Sequence, residues 1–366
     1  MRFSSFTDSF RLYTLKDVLQ RISIPVNVDE NELYYQIGIR SHSKGIFYKE
    51  AETGKQIGNK RIFWIEPNCL ILNIVFAWEQ AVAKTSQKEV GMVASHRFPM
   101  YKVSNNSLDY IVNFFKTEKG KQLLQMASPG GAGRNKTLNQ DFFLNSKIYL
   151  PSLNEQLKTS ELIELIEDRI QTQIKIISDY TSLKEGIYNL IFKEKSNEFK
   201  LKELSTIVKG EQINNDQLLS NGLYYMMNGG TSPSGYLNSY NVKENIISIS
   251  EGGNSCGYVQ FNNSKFWSGG HCYTIQNVDT SLIENKYLYH YLKYKEKNIM
   301  NLRIGTGLPN IQKKDLENFI ISVPSLLIQK KNLALLEMLD LKIEILDKEL
   351  KCLEEQKTYL LCNMFI

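Results

Sequence analysis

The residues best suited to chemistry in this 366-residue chain are cations gathered in two short stretches. Lys116, Lys119, Lys121, Arg134 and Lys136 share a stretch with a single acid, Glu118, and Lys293, Lys295, Lys297 and Arg303 share another with Glu296. Flexible cations around a groove suit phosphate contacts, whereas amides and hydroxyls on loops suit the edges of bases. Asn135, Asn139, Asn228, Ser232, Ser234, Asn254 and Ser255 are candidate readers of that second kind. The competing reading of lysine-rich helix faces is plain solvation.

Traces of catalysis are missing. There is no GxxxxGK[ST] loop, no HExxH, and no Pro-Pro dipeptide of the kind an adenine methyltransferase's NPPY motif needs. The glycine-rich pieces SPGGAGRN and SEGGNSCG lack GxGxxG spacing and read as tight turns or groove linings. His96 and His271 stand in corresponding places and read as buried, hydrogen-bonded side chains. Cys272 beside His271 hints at a nucleophile with its base, but neighbours on a strand point to opposite faces. Carboxylates crowd two later segments (Glu161, Glu164, Glu167, Asp168; Glu344, Asp347, Glu349) and read as solvated faces.

Composition narrows the class. With 42% hydrophobic and 23% charged residues the chain is a globular protein of two or three domains. A net charge of +5 and a pI near 8.7 permit nucleic-acid binding without requiring it. Five cysteines without a CxxC pair point to reduced thiols in a cytoplasm and against a structural zinc. The run CLILNIVFAW is too short to cross a bilayer and reads as a buried strand; the start, MRFSSFTDSF, has no signal-peptide pattern.

The chain also repeats itself. YLPSLNEQ (149–156) and VPSLLIQ (323–329) are near-copies, and a shift of 173 residues superposes Pro151 on Pro324, Gln156 on Gln329 and Phe192 on Phe365. Slightly longer shifts lay GAGRN over GTGLPN, Lys119 and Lys121 over Lys293 and Lys295, and His96 over His271. At the front, FRLYTLKDV (10–18) resembles FKLKELSTI (199–207).

Behind each proline phrase runs an apolar stripe with three-four spacing. The first holds Ile163, Ile166, Ile170, Ile177, Tyr180, Ile187 and Ile191, interrupted by Gln173 and Lys184. The second holds Leu336, Leu339, Ile343, Leu346, Leu350, Leu353, Leu360 and Met364, with Lys357 standing where Lys184 stands. Such stripes predict two coiled-coil helices of about 40 residues, roughly 60 Å long, each entered just after a proline. Packing of each helix on its own domain, or against another copy of the chain, is the competing reading. Stripes matched in length and phase within one chain favour pairing with each other. The expected organisation is α+β: residues 1–150 and 194–323 form two recognition domains, and residues 151–193 and 324–366 form two antiparallel spacer helices.

These residues resemble a known family. The proline phrases leading into long helices, and the series YYMMNGGTSPSGYLNSYN, IISISEGGNSCGYV, FWSGGHCYTI and GTGLPNIQKKDLENFIISVPSL, look like the specificity subunit of type I restriction-modification systems. The likeness covers nearly the whole chain, with departures: Ile328 stands where the first phrase has Glu155, Gly186 weakens the first long helix, and the first domain follows the pattern loosely. It implies two target-recognition domains on antiparallel helices, no catalysis and no cofactor in this chain, and double-stranded DNA as ligand. It also implies two modification subunits using S-adenosylmethionine, restriction subunits using ATP and magnesium, and no membrane. Two readers on one rod would recognise a split, asymmetric target. The alternative is a coiled-coil scaffold with two duplicated binding domains and no affinity for DNA.

Overall fold

The computed structural model describes residues 2–130, 136–194, 196–305, 307 and 309–365. Gly131, Gly133, Arg134 and Asn135 of the first glycine turn therefore lie outside the described residues. The chain divides into two compact units, Met1–Ile174 with Lys348–Ile366, and Lys175–Asp347. Each takes in part of both long helices.

Both units are built on one plan. In the first, Arg11–Thr14 pairs antiparallel with Lys147–Leu150; in the second, Asn197–Lys200 pairs antiparallel with Ile320–Val323. A one-turn helix follows the leading strand, Leu15–Val18 or Leu201–Leu204, opened by an acid that accepts a backbone N–H three residues back: Thr14 to Asp17 at 2.9 Å, Lys200 to Glu203 at 2.7 Å.

A four-stranded antiparallel sheet comes next. Its order is Leu19–Ile22, Met100–Val103, Leu70–Leu72, Val82–Lys84 in the first unit, and Thr206–Lys209, Cys272–Gln276, Ile246–Ser250, Val259–Asn262 in the second. The run CLILNIVFAW supplies Leu70–Leu72, buried on both faces, and then turns away in a short 3-10 helix at Ala77–Glu79. A helix packs beside each sheet's last strand, Leu108–Lys116 or Asn285–Tyr294.

These head helices depart from the sequence expectation. Tyr110 to Phe115 are buried without a break, and Tyr287, Leu288, His290, Tyr291 and Leu292 are buried with Tyr289 half-buried, so the exposed Lys119 and Lys297 fall on the short helices that follow, Glu118–Met126 and Glu296–Met300.

The units differ beyond the shared sheet. The first adds three two-stranded pieces, Leu33–Tyr34 with Glu52–Thr53, Ile37–Ile39 with Ile46–Tyr48, and Ile62–Trp64 with Val93–Ser95. The second adds one three-stranded sheet in the order Gly235–Leu237, Tyr224–Met227, Trp267–Ser268.

Strand register also refines the repeat. Leu15 corresponds to Leu201, so the front match slides by three residues. Val103 and Gln276 begin the two central-strand ladders, which puts Phe98, and not His96, in the place of His271.

The long helices are Leu153–Phe192 and Leu326–Met364, and both begin two residues after the proline of their phrase. Gly186 is exposed and leaves the first helix unbroken. The repeated glutamine explains why the phrase recurs. Gln156 is 1% exposed: its Oε1 accepts from the Ser107 N–H at 3.0 Å, and its Nε2 donates to the Pro151 carbonyl at 2.9 Å and to Asn106 Oδ1 at 2.8 Å. Gln329 is 0% exposed and repeats the arrangement. It accepts from the Glu284 N–H at 2.9 Å and donates to the carbonyls of Pro324 and Leu282, both at 2.8 Å.

Ser107 and Glu284 are the N-cap residues of the two head helices. Each glutamine thus ties the proline turn, the first turn of the long helix and the cap of the head helix together. Equivalent caps also place Lys116, and not Lys119, opposite Lys293. One support is particular to the first unit: Arg2 donates to both carboxylate oxygens of Glu155, at 2.7 and 2.6 Å, whereas Ile328 offers the second unit no such acceptor.

Truncating either glutamine, Gln156→Ala or Gln329→Ala, should destabilise its own unit by about 2–4 kcal/mol, from three bonds at about 1 kcal/mol each and a stranded buried N–H. Urea unfolding followed by circular dichroism checks this against Ala at the exposed Gln171. A shift below about 0.5 kcal/mol, the size expected of an ordinary surface change, would show the lock to be dispensable.

Candidate nucleic-acid interface

The basic residues singled out above divide into committed and open groups. Lys116 pairs with Glu167 of the long helix at 3.2 Å. Lys293 donates to Glu296 at 2.6 Å and to the Val259 carbonyl at 3.1 Å, and stands 4.2 Å from the centre of the Tyr258 ring. These two lysines brace the heads. Lys136 covers Trp78 at 5.0 Å, Lys295 covers Tyr294 at 4.8 Å, and Lys121 keeps a loose contact with Glu118 at 3.3 Å. Lys119, Lys297 and Arg303 are exposed and make no ion pair among the described residues.

Of the candidate readers, Ser232 and Ser234 are exposed between Tyr224–Met227 and Gly235–Leu237, and Asn254 and Ser255 sit in the turn that follows Glu251. Asn139 caps the helix Gln140–Asn145, accepting from the Phe142 N–H at 2.9 Å. Asn228 accepts from the His271 N–H at 2.9 Å, joining two glycine-bearing loops. His271 itself is mostly exposed, and burial pushes the neighbouring Cys272 thiol up to about 11, so it stays protonated at neutral pH. Among the described residues, no group of three or more His, Cys, Asp or Glu could hold a metal, and no helix is long and apolar enough to cross a membrane.

Every stripe residue faces inward in its own unit. In the first unit Ile163, Ile170 and Leu353 are buried and Ile166, Leu350 and Leu360 half-buried. In the second, Leu336, Leu339 and Leu346 are buried and Ile177, Tyr180, Ile187 and Ile343 half-buried. The interruptions prove to be polar rungs. Glu167 accepts from Lys357 at 2.8 Å, and Gln173 donates to Glu349 at 3.0 Å. Lys184 pairs with Asp340, and Lys342 lies 6.0 Å from the Tyr180 ring centre. In both units partners later in the first helix meet partners earlier in the second, so the pairing is antiparallel.

Glu167 and Glu349, read from sequence as solvated, are therefore engaged. Burial pushes the Glu167 carboxyl up, but Lys116 and Lys357 together hold it below its ordinary value. The repeat carries the chemistry: a shift of 173 residues lays Glu167 on Asp340 and Lys184 on Lys357. Sequence reasoning missed these pairings because each lysine or glutamine, taken alone, looks like a defect in a stripe and each acid like part of a solvated face.

Residues 193–355 match the family model described as the type I restriction modification DNA specificity domain. Type I specificity subunits of Mycoplasma pneumoniae and Mycoplasma genitalium are similar, at 34% identity over 149 residues and 33% over 122. The matched stretches cover 40% and 33% of this chain and 40% and 32% of those relatives, so the chain aligns with less than half the length of the curated proteins it resembles. The whole fold has solved counterparts. The S subunit of a type I system from M. genitalium superposes with a TM-score of 0.69 over 100% of this chain and 98% of that one, at 14% identity. A structure reported for complex assembly and conformational transition of a type I system gives 0.62 over 98% and 97%, at 16% identity. The matched stretch takes in the second unit's sheet, its head helix and most of its long helix.

Within the matched stretch, His290 should make stability depend on pH. It is 2% exposed, its Nδ1 lies 2.9 Å from the Tyr188 hydroxyl, and its Nε2 lies 3.7 Å from Asp340. Burial lowers its pKa to about 4, against the opposing pull of Asp340. Between that value and the unfolded value of about 6.5, the unfolded chain binds a proton that the folded one does not, so stability falls as pH falls. Wild type should lose roughly 2 kcal/mol from this group between pH 7 and pH 5. A His290→Gln variant, unfolded in urea at both values, should lose less by that amount; equal losses would overturn the assignment.

Proposed function

We propose that this chain is the DNA-recognition subunit of a type I restriction-modification complex. It reads a bipartite, asymmetric double-stranded target and directs adenine methylation and cleavage by its partners. The observation that carries this reading is the duplication of one sheet-and-helix frame with two unlike sets of added strands, most of one unit matching the model of the DNA specificity domain. A shared frame supports shared purpose, and unlike faces support two different half-sites.

Unbroken helices support a fixed gap between those half-sites, because helical residues set a length of about 1.5 Å each. The partners in this proposal are two modification subunits that bring S-adenosylmethionine and restriction subunits that bring ATP and magnesium. This chain supplies selection of the site, and the chemistry is theirs.

Two measurements test the reading. DNA affinity should fall steeply with salt, and Lys119→Ala should lower the slope of log K against log salt by about one without changing the preferred sequence. Salt-independent binding would remove DNA recognition and favour the scaffold reading. Deleting Ile170–Ile176 together with Ile343–Glu349 removes seven residues from each helix between the Glu167–Lys357 and Lys184–Asp340 rungs, leaving both rungs in register. The spacer then shortens by about 10 Å, roughly three base pairs. Methylation mapping in cells that carry the variant with its modification partner should show the gap contracted or the mark lost. An unchanged gap would sink the helical ruler.

A further inference from the structure

A cavity of about 420 Å3 opens in the second unit among Lys209, Asn228, Glu251, Gly253, His271 and Asn310. Glycine-bearing loops converge there. Gly252 bridges to Asn310, the Gly253 N–H donates to the Pro309 carbonyl at 3.0 Å, and Asn228 holds the His271 N–H. With φ of +76° and open space where a Cβ would stand, Gly253 keeps that wall free of side chain.

One carboxylate in this wall is incompletely bonded. The Glu251 side chain is nine-tenths buried, and its Oε1 accepts from Lys209 Nζ at 2.7 Å and from the Tyr273 hydroxyl at 3.0 Å. Among the described residues its Oε2 has no hydrogen-bond partner, and His271 Nδ1 stands 3.9 Å away, beyond bonding length. An orphaned buried oxygen is costly, so a donor from outside would relieve it. The fold does not require this trio. By strand register, Ile22, Asn73 and Met100 occupy the places of Lys209, Glu251 and Tyr273 in the first unit.

We propose that Glu251 determines specificity at one position of the half-site read by the second unit: its Oε2 accepts from the exocyclic amino group of a base while Lys209 donates to the adjoining keto oxygen. The proposal rests on the DNA-recognition reading above. Amino and keto groups lie side by side on the major-groove edge of every base pair, as adenine N6 beside thymine O4 and cytosine N4 beside guanine O6. Glu251 and Lys209 present an acceptor and a donor side by side in the same way, and Lys209 is half-exposed. A phosphate would be repelled by the carboxylate. A neutral amino group satisfies the orphaned oxygen and brings no charge into the wall. Oε2 is shielded from solvent, so access requires the mostly exposed His271 ring, 3.9 Å from it, to swing aside.

The test selects bound duplexes from a pool randomised at both half-sites, using the full chain and its near-isosteric Glu251→Gln variant. At one position of one half-site, the variant should lose about tenfold or more of the preference for an amino-bearing base. Other positions and the salt slope should stay as in wild type. Duplexes lacking that amino group, with purine for adenine or 2-pyrimidinone for cytosine, should weaken wild-type binding and leave the variant unmoved. An unchanged consensus in the variant, or equal weakening of both proteins, overturns the proposal. If the variant does not fold, the analogues still decide with wild type alone: no position in either half-site sensitive to the amino group overturns it. A wild-type chain that selects no consensus at all removes DNA recognition itself, and this inference with it.

Discussion

The buried amides of Gln156 and Gln329 are the contacts on which the rest of each unit depends. A proline two residues before a helix fixes where the chain turns but not what it packs against. The glutamine supplies the second constraint, because one side chain satisfies the proline carbonyl and the cap N–H of the head helix together. With both backbone groups buried, an imperfect alignment of long helix and head would leave one of them unbonded, at a cost comparable to a whole hydrogen bond. The angle between rod and head is thereby held by backbone hydrogen bonding as well as by apolar packing, which alone tolerates small slides.

On that frame the two heads diverge where divergence costs least. The central strands, the capped short helix and the head helix recur in both units, while the outer strands form three small pairs in one and a three-stranded sheet in the other. Cores tolerate little change in volume, whereas loops and edge pieces bury less and accept more. The contrast between Glu251 with Lys209 and Tyr273 in one unit, and Asn73 with Ile22 and Met100 in the other, shows the same division within the sheet itself. At the mouth of the sheet, polarity changes without altering the ladder.

Much of this was legible in the chain. The proline phrases marked both helix entries to within two residues, and the stripes named the inward residues of the pair. What escaped notice did so for physical reasons. Gln173, Lys184 and Lys357 read as interruptions because a polar residue in an apolar stripe looks unfavourable until its partner on the other helix is known. Glu167 and Glu349 read as solvated because helical spacing locates a face, not what lies opposite it. Lys116 and Lys293 read as ligand-facing because charge density is visible in sequence and an intramolecular counter-ion is not. Glu251 lies in SEGGNSCG, which read as a tight turn or groove lining, but nothing in that stretch singled out its carboxylate. Its neighbours come from strands far apart in the chain, and only the register of the sheet assembles them.

The rungs have one further consequence. Each long helix carries its acid before its lysine, Glu167 before Lys184 and Asp340 before Lys357. Run head to tail, every acid finds a lysine. Laid side by side in the same direction and phase, carboxylate would meet carboxylate and ammonium would meet ammonium, with the stripes still matched. Apolar packing alone would accept either direction, so these four charged side chains favour the antiparallel one.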